Sequence, residues 1–260
     1  MELWIELFFV TGLVCMMGGN SVESNWEITT NRYVAYFDIM GFKDMVLRSS
    51  HNEIYEMMKG IDEKIKLNAN VNWDDKPADL IKTTTYSDSI IIYSKDDSYD
   101  SENSIICTVS ALTSDLLSSA IPHKGAIAFG TMTVDMVNSI FFGQPLIDAY
   151  LLQEELYFYG IVVHATAEQE IEKKTKHAFV HNYLCNFKNG NSMHLTIFPL
   201  YAGPRTPNDE EDYDALYSSC DKLRFKTSGH LRKYIDNTES YLNLLKEEYG
   251  SVEANHNVGK

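Results

Sequence analysis

The chain has 260 residues, of which 44% are hydrophobic and 23% charged, and these values exclude a disordered or collagen-like protein. This length suits one α/β domain with appendages, or at most two small domains. Asp and Glu number 37 against 22 Lys and Arg, so the net charge is -15. Because sequence-independent binding to nucleic acid requires cations that neutralise phosphates, we expect no nucleic-acid partner.

Cysteine usage and the N-terminus bear on localisation. The four cysteines are scattered without metal-site or disulfide-framework spacing, which favours free thiols in a reducing cytoplasm. Residues 7–17 form an apolar run that is shorter than the roughly 20 residues of a spanning helix. No Lys or Arg precedes this run, as a signal peptide would require. We therefore predict that residues 1–31 are an extension upstream of the true start and outside the fold, with a weak membrane-surface anchor as the alternative and no stable membrane span.

Regular patterning begins near residue 32 and predicts the first half of the fold. Apolar alternation and helical periodicity indicate a buried strand at 33–37, a helix over 43–66 broken near Ser49, strands at 81–86 and 89–94, a helix over 101–119 and a buried strand at 124–133. Ser87 and Asp88 join the middle strands as a hairpin, because Ser and Asp tolerate tight turns.

The second half is predicted in the same way. It comprises a turn at 141–145, a helix over 146–157, a strand at 160–164, a helix over 167–176, a strand pair at 178–183 and 193–198, and one or two helices over 214–248. The order β-α-β-β-α-β predicts an α+β fold with a ferredoxin-like core and C-terminal helices. Residues 32–200 would form the main domain, and residues 201–260 a charged loop, the C-terminal helices and a loose tail.

Two acidic residues stand at structurally related places. Asp38 closes the first predicted strand, and Asp88 lies in the hairpin turn that should pack beside that strand. Converging carboxylates repel each other, which two divalent cations about 3.5–4 Å apart would relieve while binding a phosphoryl group. From spacing alone, a helix-capping role for Asp38 and a simple turn role for Asp88 are equally consistent.

The segment after Asp38 favours the first interpretation. Residues 39–42 lie between a strand and the start of a helix, where backbone N–H groups point outward. Gly41 allows a ligand to approach these groups closely, so the segment is suited to hold a phosphate.

Four segments resemble class III nucleotide cyclases. Residues 37–42 (Phe-Asp-Ile-Met-Gly-Phe) are similar to the first metal-binding segment of that family, and residues 85–89 (Thr-Tyr-Ser-Asp-Ser) to its second aspartate hairpin. Residues 124–130 (Lys-Gly-Ala-Ile-Ala-Phe-Gly) are similar to its Arg-Gly-Ala-Ile strand, and residues 141–143 to its aromatic-aromatic-Gly turn. With Asp148-Ala149-Tyr150 and the turn at 187–190, the combination most resembles the Pycsar cyclases, bacterial antiphage enzymes that make cyclic UMP or cyclic CMP.

The resemblance implies an activity and a set of metal ligands. Residues 32–200 would be a catalytic domain that converts a pyrimidine nucleoside triphosphate, UTP rather than CTP as the first choice, into the 3′,5′-cyclic monophosphate and pyrophosphate. The product would signal to a cyclic-nucleotide-sensing antiphage effector. Asp38, Asp88 and the Ile39 carbonyl would bind two Mn²⁺ or Mg²⁺ ions, while Gly41 and Phe42 would help to hold the phosphates.

Departures from the family pattern suggest how this chain differs. Thr84 stands where purine cyclases carry a base-reading lysine, and Tyr86 should point the same way, so the two would line a base pocket or simply pack. The family's transition-state Asn and Arg correspond to the apolar Ile147 and Leu151. Either a lysine substitutes for them, with Lys124 as the catalytic candidate and Lys188 as a second, or turnover is poor.

The resemblance also implies a homodimer, because class III sites form between two cores. The cluster of Phe129, Phe141, Phe142 and Tyr150 would be its apolar face, with core packing as the alternative for each ring. Two other functions stay open at this point. One is an adenylate or guanylate cyclase, and the other is a catalytically silent module that binds a nucleotide or a partner.

Overall fold

The computed structural model describes residues 26–69, 79–174, 179–199 and 210–254. Its strands are β1 (Thr29–Ile39), β2 (Ile81–Tyr86), β3 (Ser89–Ser94), β4 (His123–Asp135), β5 (Ile140–Gly143), β6 (Ile161–Val163), β7 (Val180–Phe187) and β8 (Gly190–Ile197). Its helices are α1 (Phe42–Arg48), α2 (His51–Ala69), α3 (Tyr99–Ser118), α4 (Gln144–Glu155), α5 (Ala165–Lys174), α6 (Glu210–Lys226) and α7 (Arg232–Ala254). A short 3-10 turn, Gly229–Leu231, leads into α7.

All eight strands belong to one sheet. The order is β2-β3-β1-β4-β6-β8-β7, with β5 paired to β4. The pairs β2–β3, β3–β1 and β1–β4 are antiparallel, whereas β4 and β6 are parallel. The first four strands therefore have the order of a ferredoxin-like split βαβ unit, and the predicted α+β class is confirmed.

The sheet carries helices on both faces, which explains why β1 and β4 are rich in apolar residues. On one face, α2 and α3 pack over side chains such as Phe37, Ile92 and Ile127. On the other face, α4 lies against β1 and β4, and Ala149 contacts a cluster that includes Ala126 and Tyr241. Alternate residues of β1 thus enter different cores.

Two local predictions are confirmed and one is wrong. The hairpin strands 81–86 and 89–94 are found as predicted, and the first long helix is interrupted at Ser49–Ser50. The predicted turn at 141–145 is instead strand β5 followed by the first residues of α4. Residues 140–143 form a strand because they pair with the C-terminal end of β4 in a hairpin. The aromatic-Gly pattern by itself does not indicate this pairing.

The N-terminal boundary lies earlier than expected. β1 begins at Thr29, so the expected boundary between residues 31 and 32 falls inside a strand. Trp26 also packs on the domain, since its indole N–H donates to Asp79 Oδ2 at 2.9 Å and its ring meets Tyr93 edge-on. The apolar run at residues 7–17 lies outside the described residues. Within the part that the structure describes, no helix is both long and apolar enough to cross a membrane.

The C-terminal helices are joined to the sheet domain by a shared core. Side chains of α6 and α7, including Leu216 and Leu242, pack with Leu117 of α3 and with Tyr159. The Tyr159 N–H donates to Thr238 Oγ1 at 2.8 Å. The charged loop expected after residue 200 falls largely outside the described residues, and α6 begins at Glu210. Residues 210–254 are therefore integral to the folded unit.

Burial of His123 makes the stability of this fold depend on pH. Its ring is buried, Nδ1 donates to the Ile121 carbonyl at 3.0 Å, and Nε2 has no partner among the described residues. Burial lowers the pKa of His123 to about 4. The unfolded state therefore binds the proton more readily, and stability present above pH 6.5 is lost as the pH falls towards 4.

We predict that this single imidazole costs the protein about 2 kcal/mol of unfolding free energy between about pH 7.5 and about pH 5. Urea unfolding at the two pH values should show this loss in the wild type. Over the same pH change, the variant His123→Asn should lose about 2 kcal/mol less unfolding free energy than the wild type, whatever its stability at neutral pH. Equal pH dependence of the two proteins would contradict the prediction.

Candidate metal and nucleotide site

Asp38 and Asp88 lie at the same end of the sheet. Asp38 is the penultimate residue of β1 and is paired with Ser89, the residue that follows Asp88. The Ile39 N–H donates to the Asp88 carbonyl oxygen at 2.9 Å, which ties the hairpin turn to the end of β1. The structure thus brings together the three residues that were predicted to bind metal.

The hairpin turn that carries Asp88 contains one strained residue, Ser87. Ser87 adopts a left-handed backbone conformation with φ of 58°. An L-residue pays roughly 1–2 kcal/mol for this conformation, which Gly adopts freely. Strand pairing on both sides of the turn must supply the energy that keeps Ser87 in place, so the position of Asp88 is imposed by β2 and β3.

Lys124 completes the centre of the site. It pairs with Asp38 across β1 and β4, and its side chain is only 5% exposed. Its Nζ lies 3.6 Å from Glu154 Oε1 and donates to the Glu154 carbonyl at 3.4 Å. Glu154, at the end of α4, was not predicted from the sequence. A lone glutamate on a helix gives no signal, and only the packing of α4 on the sheet places it here.

Burial and charge act against each other at Asp38 and Lys124. Burial raises the pKa of Asp38, the Lys124 ammonium opposes that rise, and Asp88 and Glu154 add to it. Burial lowers the pKa of Lys124, whereas Glu154 and Asp38 raise it. Lys188 from the β7–β8 turn also acts on both groups, lowering the pKa of each. The acids therefore sit in a partly desolvated setting in which a further cation would be stabilising.

The donor set fits a hard divalent cation. Carboxylate and carbonyl oxygens are the ligands that Mg²⁺ and Mn²⁺ favour. Among the described residues no group of three or more His, Cys, Asp or Glu side chains is arranged to hold a metal. Mg²⁺ commonly binds proteins through one or two carboxylates together with water and substrate phosphates. Asp38, Asp88 and the Ile39 carbonyl therefore suit an ion that arrives with a phosphorylated ligand.

The residues expected to hold phosphate contribute through the backbone. Gly41 has φ of 76° and no atom within 4 Å of where a Cβ would stand, so its surroundings are open. Phe42 starts α1, but its side chain packs partly buried on the core and only its N–H remains for a ligand. Because α1 has only seven residues, its dipole adds little to this cradle.

The structure separates the roles of Thr84 and Tyr86. Both lie on the same face of β2, the face that carries Asp38 on β1. The Thr84 hydroxyl is hydrogen-bonded to the Tyr93 hydroxyl at 2.8 Å, whereas Tyr86 is 81% exposed. The Tyr86 ring is therefore exposed beside the acids, whereas Thr84 is paired with Tyr93 further along the strand.

Only half of the proposed aromatic face points outward. Phe129 packs on Tyr33 with ring centroids 4.8 Å apart, and Phe141 packs near Tyr93, so both are partly buried. Phe142 and Tyr150 are exposed as expected.

Exposed apolar residues lie on α4 and on the β4–β5 hairpin, and we call the two groups together the α4 surface. It comprises Met136, Val137, Ile140, Phe142, Ile147, Tyr150 and Leu151. Val137 is 93% exposed at the tip of the β4–β5 hairpin. The apolar pair at 147 and 151, where the resembling family has Asn and Arg, thus belongs to an outward-facing surface.

The sequence matches no family model and no curated protein. Solved structures show similarity. The catalytic core of a rhodopsin-guanylyl cyclase with converted specificity, in complex with ATPalphaS, is 12% identical with a TM-score of 0.50, over 65% of this chain and 95% of that chain. The chain has the fold of class III nucleotide cyclase catalytic cores.

Two further structures are similar at lower scores. The guanylate cyclase domain from Catenaria anguillulae, in complex with GTP, is 13% identical with a TM-score of 0.45, over 64% of this chain and 94% of that chain. The adenylyl cyclase CyaB from P. aeruginosa is 9% identical with a TM-score of 0.46, over 67% of this chain and 96% of that chain. At such identities the likeness concerns the fold, and the role of each side chain must be argued from its own surroundings.

We predict that Asp38→Asn weakens Mn²⁺ binding at least about tenfold, because it removes one of two charged ligands. Electron paramagnetic resonance of free Mn²⁺ measures this directly, without any assay of turnover. Asp44→Asn serves as the matched control, since Asp44 is an exposed acid in the first turn of α1. Equal Mn²⁺ affinity in the two variants would refute a metal site at Asp38.

Proposed function

We propose that the chain is a nucleotide cyclase that converts a pyrimidine nucleoside triphosphate, UTP in preference to CTP, into its 3′,5′-cyclic monophosphate and pyrophosphate. The observation that carries the proposal is the meeting of Asp38 and Asp88 at the same end of a cyclase-fold sheet. The further role, as the cytoplasmic signal-producing enzyme of a Pycsar antiphage system with a cyclic-nucleotide-sensing effector, is supported by the sequence resemblance.

The proposed reaction is an intramolecular displacement. A bond forms between the 3′-oxygen and the α-phosphorus, the bond from that phosphorus to the bridging oxygen of pyrophosphate breaks, and the hydroxyl proton passes to solvent. Divalent metal ions, when bound, neutralise phosphate charge and make the hydroxyl more acidic. Because the transition state needs positioning more than covalent help, the rigid placement of the acids is the main contribution of the protein.

Each residue of the site has a role in this scheme. Asp38, Asp88 and the Ile39 carbonyl bind the ions, and the open backbone at Gly41 receives phosphate oxygens. The ion pair with Glu154 holds Lys124 beside Asp38. Its ammonium group therefore supplies positive charge from a fixed, buried position. This placement supports Lys124 as the group that compensates for the apolar residues at positions 147 and 151.

The preference for a pyrimidine base is supported by the surroundings of Thr84. Its hydroxyl is already bonded to Tyr93, and it has no cationic group to offer a purine. The exposed ring of Tyr86 beside the acids suits stacking against a base. A site that lacks the purine-reading cation leaves polar groups of a purine unpaired, which disfavours that substrate.

A homodimer with sites between protomers is the second part of the proposal. The acids lie on the sheet face against which α4 packs, mainly over β1 and β4, while Tyr86 on β2 stays exposed. The α4 part of the α4 surface, which comprises Ile147, Tyr150 and Leu151, lies on this face, and exposed apolar residues gathered on one helix suit an interaction surface. A second copy of the chain that covers both would close the site against water.

A catalytically silent module is the alternative that the structure favours in one respect. Ile147 and Leu151 are apolar and exposed, so these two positions of α4 offer no polar group to a transition state. Under this alternative the acids would bind a metal-nucleotide complex without turnover. The retained pair of converging acids is the reason to prefer the enzyme.

We predict that the purified protein with Mn²⁺ makes cyclic UMP from UTP, with less product from CTP and least from ATP and GTP. Asp38→Ala and Asp88→Asn should each lower the rate at least about a hundredfold, because each removes charge that the transition state requires. Asp44→Asn should retain the rate. Chromatography and mass spectrometry of the products decide the matter.

The outcomes separate the three functions. Cyclic AMP or cyclic GMP as the main product would make the chain a purine cyclase. No product from any of the four triphosphates, with the wild type and Asp38→Ala alike, would favour the silent module.

The dimer predicts a separate result. Phe142→Ser combined with Leu151→Asp should shift the protein to monomers in light scattering and should abolish cyclase activity, although both acids remain. Tyr55→Asp is the control, because Tyr55 is equally exposed but lies on α2, away from the α4 surface. A monomeric wild type with full activity would rule out a shared site.

A further inference from the structure

A cavity of about 440 Å³ opens between the β7–β8 turn and the start of α7. It is lined by Tyr157, Lys188, His230, Leu231, Lys233 and Tyr234. Half of these residues carry basic side chains, although the protein as a whole has a net charge of -15. A cluster of basic side chains around one cavity, in a chain that is otherwise acidic, suits a ligand of negative charge.

The shape of the cavity is set by contacts among its own walls. The rings of Tyr157 and Tyr234 meet edge to face with centroids 4.4 Å apart. The Tyr157 hydroxyl donates to the His230 carbonyl at 3.2 Å, and Asn237 Nδ2 donates to the Tyr157 carbonyl at 2.7 Å. The Lys188 N–H donates to the Glu155 carbonyl at 2.8 Å. The turn, the loop before β6 and α7 are therefore held together around the opening.

The basic side chains of the pocket are not neutralised by ion pairs. Among the described residues, no carboxylate oxygen lies within 4.0 Å of Lys188 Nζ, Lys233 Nζ or the ring of His230. Lys233 Nζ instead stands 6.0 Å from the centre of the Tyr157 ring, over its face. Like charges gathered around one opening repel each other, and a bound anion would relieve the repulsion.

The pocket adjoins the acid site through an unbroken series of contacts. Asp38 pairs with Lys124, Lys124 contacts Glu154, and the next residue, Glu155, accepts the N–H of Lys188. The same proximity is seen in the electrostatics, because the charges of Glu154 and Asp38 contribute, after burial and Tyr157, to a raised pKa of Tyr234. A group released beside Asp38 would therefore find this pocket next to it.

We propose that the pocket binds an oligophosphate anion and, if the chain is the cyclase proposed above, receives the pyrophosphate that leaves the nucleotide. Lys188, Lys233 and His230 supply the donors, and the tyrosines supply a rigid wall. The walls come largely from the 3-10 turn and α7. The C-terminal helices thus have a binding role in addition to their packing role.

The test is a calorimetric titration of pyrophosphate into the full-length protein without divalent metal or nucleotide. The wild type should bind, Lys233→Gln should bind about fivefold more weakly, and Lys188→Gln with Lys233→Gln at least about twentyfold more weakly. Lys246→Gln is the matched control on the same helix and should bind as the wild type does. No binding by the wild type, or equal binding by Lys233→Gln, would overturn the pocket.

A second arm separates this proposal from the proposed function. Asp38→Asn, which should be inactive, is expected to bind pyrophosphate at least as tightly as the wild type, because a nearby negative charge is gone. Cyclase activity without pyrophosphate binding would refute the pocket and support the proposed enzyme. Pyrophosphate binding without any cyclase activity would support the pocket and refute the proposed enzyme.

The source of the anion is decided by product inhibition. If the leaving group uses the pocket, added pyrophosphate should inhibit the wild type, and Lys233→Gln should relieve that inhibition. Binding that leaves turnover unaffected would assign the pocket to an oligophosphate from solution and would overturn its role for the leaving group.

Discussion

The position of β1 between β3 and β4 is the constraint on which the candidate site depends. Pairing with β3 sets Asp38 opposite Ser89 and draws the turn that carries Asp88 against Ile39. Pairing with β4 sets Lys124 opposite the same Asp38. Because a one-residue slip in either register would turn Asp38 to the other face of the sheet, the buried side chains of β1 also hold the acids in place.

Burial of charge gives this end of the sheet its chemical character. Asp38 loses water on entering the fold, and the nearest compensation is Lys124, which is itself buried and shared with Glu154. Because the cation nearest to Asp38 forms its ion pair with Glu154, the Asp38 charge is only partly compensated, and a further positive charge from a metal ion is favourable. The proposed need for divalent cations thus follows from the same packing that builds the core.

The two ends of the chain modify a common fold in different ways. At the N-terminal side, Trp26 extends the packing beyond the strand predicted from residue 33. At the C-terminal side, α6 and α7 share a core with α3, and the start of α7 forms one wall of the basic cavity. The α4 surface remains exposed, and a second copy of the chain is proposed to bind there.

Local chemistry determined the elements that the sequence alone could reveal. The Ser87-Asp88 turn between β-branched strands, the break at Ser49 and the alternation of β1 all depend on neighbours in the chain. Asp38 and Asp88 could therefore be recognised as a pair, since the order of elements already brings a hairpin beside the first strand. Tertiary packing decided the rest. Three examples are the pairing of β5 with β4, the contact of Glu154 with Lys124, and the cavity shared by Lys188, His230 and Lys233. The local sequence around these residues does not predict their contacts, because the contacts form only when separate elements bury their apolar faces together.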